Sequence, residues 1–324
     1  MAVIAQTGIF TTAKKLVGLR RKYDFVGQET KQGTDMTIAV IGATGNTGRA
    51  VFKELKALGQ DPVAVVRNAD KAREVLGADV KMAIADLNDR AALEKALQGA
   101  DTVFVLPGIG PQMADQQNNV IDAVLNTGAK YLVRLSAGRD VAKPDSEVAA
   151  GRVHYAADER LRNSKIGWVV LRPGLFMQNV IGQAAMIKND SKFVMPYPAD
   201  FPLALIDVRD TGAVAARILL DPAPHAGKTY MFTGAATNYG EFAEVLSQVL
   251  GRKIAYVPVT VEQNETAMKA RKMPDWLIAH LVGIARIGNR GGFSTENAQP
   301  IHDIVKRAPI TTKQFVTDFK AVFG

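Results

Sequence analysis

Residues 36–185 and 205–235 predict a doubly wound α/β unit, a parallel sheet with helices on both faces. Two observations carry this. Apolar runs of strand length alternate with helix-length segments, and the first run feeds a glycine-rich turn that opens a helix. A smaller, mostly helical C-terminal lobe is expected from residues 186–204 and 236–324, where the alternation loosens and prolines 196, 198 and 202 punctuate the chain.

The elements follow in order. Residues 37–41 read as a strand, 48–58 as a helix and 63–66 as a strand of three valines and an alanine. Residues 69–76 form a short helix, 80–83 a strand, 90–97 a helix and 102–106 a strand. A helix over 112–126, a strand over 131–135, a helix over 153–163 and a strand over 167–171 complete the regular part. Continuous rather than alternating apolar strands indicate a sheet buried on both faces. Later, residues 207–219 read as a helix and 228–232 as a last strand. Residues 239–250 place Phe242, Val245, Leu246 and Val249 on one helical face, and Asp275, after Pro274, caps a helix to residue 287.

Composition narrows the classes. A chain of 324 residues, 47% of them hydrophobic, buries a core large enough for one or two lobes. No run approaches the roughly 20 apolar residues of a membrane span. The absence of cysteine excludes disulfides, thiolate ligands and thiol nucleophiles, and fits a reducing, cytoplasmic setting. His154, His225, His280 and His302 are scattered without metal-ligand spacing, so no metal is expected.

The net charge of +8 is concentrated in part at the start. Residues 1–35 hold six Lys/Arg against three acids, and residues 1–23 hold no acid at all. This segment reads as a disordered or docking extension, with organelle targeting as the alternative. Elsewhere no dense basic run with interleaved aromatics appears, so nucleic acid is not expected as a partner. A mildly basic surface suits small anions, and a monomer or homodimer is expected.

The stretch GATGNTG sets Gly42, Gly45 and Gly48 between strand and helix. Each spares a Cβ where the chain turns, where backbone meets a diphosphate, and where helix packs on strand. Free amides at the helix start then face the anion, and Thr44, Asn46 and Thr47 add side-chain donors. The second strand runs to Arg67, where NAD-selective folds carry an acid that accepts from the ribose hydroxyl. A guanidinium suits a 2′-phosphate instead, with Lys71 nearby, so NADP(H) is the expected cofactor. After the third strand, Asp86 accepts from the adenine amino group and Leu87 packs on the base, with helix capping the rival role for Asp86. Residues 105–108, Leu106 among them, run beneath the cofactor.

Four further stretches, YLVRLSAG (131–138), VHYAADERLRNSKIGWVVLRPGLFMQN (153–179), YGEFAEVLSQVLGRKIAYVPV (239–259) and IVKRAPITTKQFVTDFKAVF (304–323), resemble the NmrA-like family of atypical short-chain dehydrogenases/reductases. Its quinone oxidoreductase and azoreductase-like members are the nearest in pattern, and the resemblance spans residues 37–323. It implies a Rossmann fold, an NADPH-dependent reductase or a cofactor-sensing regulator, and contacts from Gly174 to Phe176 near the nicotinamide. His154 falls where isoflavone-reductase-like relatives carry an active-site lysine. It is a candidate hydrogen-bond donor, and equally a structural one.

Ordinary members of the wider superfamily use Tyr-x-x-x-Lys. Here Tyr155 is followed four residues on by Glu159, a carboxylate that does not favour a phenolate. Tyr155 is therefore a weak candidate acid. Ser136, after the fifth strand, is a candidate contact beside the nicotinamide or a strand cap. Without a positioned acid, the expected acceptor is a quinone or similar conjugated molecule, which spreads the charge that hydride brings. The competing expectation is a non-catalytic NADP(H) sensor of the NmrA type. An epimerase or lyase is disfavoured by the missing Tyr-Lys pair.

Overall fold

A computed structural model describes residues 36–324; the expectations for residues 1–35 lie outside the described residues. The chain runs β1 (Ile38–Ile41), α1 (Asn46–Ala57), β2 (Val63–Val66), α2 (Ala69–Leu76), β3 (Met82–Ile84), α3 (Arg90–Ala96), β4 (Thr102–Val105), α4 (Met113–Thr127), β5 (Tyr131–Leu135), α5 (Ala149–Arg162) and β6 (Gly167–Pro173). It continues with β7 (Leu175–Phe176), α6 (Ala184–Asp190), β8 (Lys192–Met195), β9 (Leu203–Ile206), α7 (Val208–Leu220), β10 (Lys228–Phe232) and β11 (Ala236–Thr237). Then follow α8 (Tyr239–Leu250), β12 (Ala255–Pro258), α9 (Val261–Ala270), α10 (Asp275–Ile287), α11 (Gln299–Val305), α12 (Thr312–Asp318) and α13 (Lys320–Phe323).

Seven strands form one sheet in the order β3-β2-β1-β4-β5-β6-β10, every pair parallel. The expected doubly wound Rossmann fold is present. Both faces are covered. Val40, Phe104, Val133 and Leu171 pack with Val51, Phe52, Val214 and Ile218 from α1 and α7. On the opposite face, Ile41, Val103 and Leu132 meet Leu93, Val120 and Leu161 from α3, α4 and α5. The order reverses between β1 and β4, which opens a crevice at the carboxyl ends of the strands.

The later residues build a second core around Phe193, Tyr239, Phe242 and Phe315. Its rings meet edge to face, Phe193 on Tyr239 at 6.0 Å and Phe242 on Phe315 at 5.9 Å. Two small sheets, β11-β9-β7 and β12-β8, stand where the sequence reads as loop. Strands of two to four residues between prolines are too short to show a period. Among the described residues no helix is long and apolar enough to cross a membrane.

Two departures from expectation concern helix starts. Helix α5 begins at Ala149, four residues early, because its first turn is Ala-Ala-Gly and carries no amphipathic signal. Pro274, not Asp275, occupies the N-cap of α10, and Asp275 makes no cap bond but sits in the first turn, where its charge suits the helix dipole. The tail is clamped onto α7: Asp210 binds Arg307 at 2.5 Å and the Ile310 amide at 2.9 Å, while Arg209 reaches Asp318 at 2.6 Å.

Helix α7 lies so close to α1 that a Cβ on Gly212 would meet Ala50 atoms at 2.7 and 2.8 Å. Helix propensity alone makes Gly212→Ala stabilising by up to about 1 kcal/mol. Overpacking reverses the sign, and chemical denaturation should show a loss of about 1–3 kcal/mol.

Candidate cofactor and active site

The turn after β1 is built by contact distances that admit only hydrogen. Gly42 has φ +81°, and a Cβ there would lie 2.8 Å from the Leu106 carbonyl oxygen. A Cβ on Gly48 would overlap the carbonyl of Gly42. The Gly45 amide closes the turn on Gly42 O at 3.0 Å. Gly45 is then the N-cap of α1 and has no side chain to cap it, and the first turn holds no acid. The leading amides of α1 therefore face the crevice without a side-chain acceptor, the arrangement that takes a diphosphate. Thr44 and Asn46 are partly exposed beside them, while Thr47 is buried. Leu106 lies half-buried against the same turn.

At the carboxyl end of β2, the Arg67 side chain is 73% exposed, and its guanidinium stands 3.9 Å from Asp86 after β3. Asn68 caps α2 through the Lys71 amide, which keeps Arg67 outside the helix. Asp86 does not cap α3; Asp89 does, through the Ala92 amide. Asp86 Oδ1 instead accepts from the amide and the side chain of Asn88, both at 2.8 Å. Arg67, Asp86 and the half-buried Leu87 thus stand near one another past the carboxyl ends of β2 and β3. Phe176, half-buried in β7, stands three residues past β6.

Beyond β5 and β6 lies a buried polar cluster. Asp158 on α5 is fully buried and accepts from the guanidiniums of Arg134 and Arg172, the latter at 2.7 Å, and from the Ser136 hydroxyl at 2.8 Å. Arg134 is 1% exposed and also donates to Gln117 on α4 and to His154 Nδ1, the latter at 2.9 Å. Because a guanidinium only donates, His154 Nδ1 is an acceptor and its ring proton sits on Nε2. Burial, then the charge of Arg134, holds His154 well below the ordinary histidine range, so the ring is neutral. Burial pulls Arg134 down to about 10, which leaves it charged at neutral pH.

The i, i+4 pair that turns inward is therefore His154 and Asp158. Tyr155 is half-buried on another face, and Glu159 is engaged by Arg162. Arg134, Asp158, Arg172 and Gln117 were not among the expected site residues. Their signal is an arginine inside two otherwise apolar strands, YLVRL and WVVLR, which requires a buried acid.

Two outcomes follow. Asp158→Ala leaves two buried guanidiniums without a counter-charge and should cost about 3–5 kcal/mol in denaturation. His154 and His280 both have folded values below 6.5, His280 at about 3 through burial. The unfolded chain binds more protons below pH 6.5, so stability is complete above that value and falls as pH drops toward 3. The slope should reach roughly 1.4 kcal/mol per pH unit for each histidine, and the double change to glutamine should flatten it.

The NmrA-like family model matches residues 34–309. An NAD(P)H azoreductase of Xenophilus azovorans is 36% identical over 241 residues, covering 74% of this chain and 83% of that protein. A (4-alkanoyl-5-oxo-2,5-dihydrofuran-3-yl)methyl phosphate reductase of Streptomyces griseus is 33% identical, with 73% and 82% covered. Among solved structures, an NADPH-dependent quinone oxidoreductase of Escherichia coli complexed with NADPH superposes with a TM-score of 0.76 at 26% identity, covering 88% of this chain and all of that one. The family model covers most of the chain, and the chain belongs to the NmrA-like family.

Proposed function

We propose that the protein is an NADPH-dependent reductase that delivers hydride to a quinone-like or other conjugated, electron-poor acceptor. The observation that carries this is the pairing of an open, uncapped α1 terminus with Arg67 across from Asp86, at the one reversal of the sheet order. The family supports the reaction class, since similar proteins carry the names of NAD(P)H azoreductase and NADPH-dependent quinone oxidoreductase.

The roles follow from the geometry. Amides of residues 46–48 hold the diphosphate, with the Thr44 and Asn46 side chains beside them. Arg67, with Lys71 one helical turn on, holds the 2′-phosphate. Asp86 and Leu87 take the adenine, and Leu106, Ser136 and Phe176 line the path to the reacting end. When bound, NADPH supplies the hydride. The helical lobe, residues 186–204 and 236–324, forms the far wall against which the acceptor lies.

Neither His154 nor Tyr155 is placed for proton transfer in this reading. His154 is neutral and 6% exposed, with Nδ1 committed to Arg134; it fixes the Arg134–Asp158 pair as a positioning residue. An acceptor that delocalises the incoming charge is then protonated by water, so alignment carries the rate. This is also what separates a reductase from a sensor: the sensor binds NADPH and passes its hydride to no acceptor.

Two measurements test the reading. In Arg67→Ala the preference for NADPH over NADH should fall roughly tenfold, since one exposed charge-assisted contact is lost. An unchanged ratio removes Arg67 from the 2′-phosphate. With a panel of quinones, NADPH oxidation should proceed, and His154→Gln should retain the rate within about threefold. A general acid contributes roughly 10²–10⁴, so a loss of that size would make His154 the proton donor. No turnover on any acceptor, with tight NADPH binding, would leave the sensor.

A further inference from the structure

The buried cluster determines which way the Ser136 hydroxyl points, and with it the chemistry the serine offers. Asp158 is a carboxylate between two guanidiniums and has no proton to give. The contact of 2.8 Å between Ser136 Oγ and Asp158 Oδ2 is therefore made by the serine proton. A hydroxyl has one proton and two lone pairs. With the proton directed inward at Asp158, only lone pairs remain for anything else that approaches.

Ser136 stands one residue past the carboxyl end of β5, beside β4 and β6, on the edge of the sheet where a doubly wound fold binds its ligand. Its own amide is used by Leu171 O at 2.8 Å, so the backbone offers no donor there either. The residue is held on both sides, by the strand below and by Asp158 behind.

We infer that Ser136 is a hydrogen-bond acceptor in the cofactor site and recognises the amino group of the nicotinamide carboxamide, with Asp158 as the positioning residue that sets this polarity. The inference rests on the reductase reading, since it needs the nicotinamide end of the cofactor over β5. It also excludes the opposite role, a serine that donates to a substrate or carboxamide oxygen, for as long as Asp158 retains its charge.

The test uses two oxidised cofactors that differ at one group. NADP⁺ carries a carboxamide with an NH₂ donor and a carbonyl; its 3-acetylpyridine analogue keeps the carbonyl and has a methyl in place of the NH₂. Calorimetric titration of the full chain should show Ser136→Ala weakening NADP⁺ by roughly two- to tenfold, the factor of one neutral hydrogen bond. Affinity for the analogue should stay within about twofold, because it never offered that donor. Ser136→Thr, which keeps the hydroxyl, should restore discrimination between the two.

An equal loss for both cofactors would show a serine that donates to the carbonyl, and no loss for either would show that Ser136 makes no contact; both overturn the inference. A wild-type chain that binds neither dinucleotide fails the reductase reading itself, a result distinct from the other two.

Discussion

Everything in the cofactor half of the molecule depends on a steric constraint: α1 can approach β1 only because Gly42 and Gly48 leave no Cβ between them. That approach is what brings the first amides of α1 to the reversal of the sheet. A side chain at either glycine pushes the helix outward, and the amides then address solvent instead of an anion. The constraint extends to β4, since Gly42 also lies against the Leu106 carbonyl. Three segments far apart in sequence are thus fitted around one turn, and the crevice inherits its shape from that fit.

The second organising feature is electrostatic. Asp158 compensates two buried guanidiniums and fixes the hydroxyl of Ser136, and Arg134 passes the order on to Gln117 and His154. A cluster with every member bonded to another ties β5 and β6 to α4 and α5 at the carboxyl edge of the sheet. It is a rigid floor for whatever lies above. It also holds Ser136 and His154 each to a fixed partner, Asp158 and Arg134.

Much of this was legible in the residues. The strands of the main sheet announce themselves because both their faces are buried, so VAVV and YLVRL read as continuous apolar runs. The glycine turn was legible because its form follows from local sterics: Gly42 and Gly48 stand where a Cβ would meet backbone. The small sheets of the lobe were not, since β7 and β11 have two residues each and are defined by partners distant in sequence. The buried cluster was half legible. An arginine in a buried strand demands an acid, but which of Asp158 and Glu159 turns inward is set by how α5 packs on the sheet. His154 and Tyr155 stood out as candidates and Asp158 did not; in the structure His154 and Asp158 share the buried face of α5.

The most direct test of the account is amide hydrogen exchange with and without saturating NADPH. The account predicts that the peptide spanning residues 42–49 gains the strongest protection, with a second protected segment at residues 67–71. Saturation with no protection in either segment, or protection confined to another part of the chain, would contradict it.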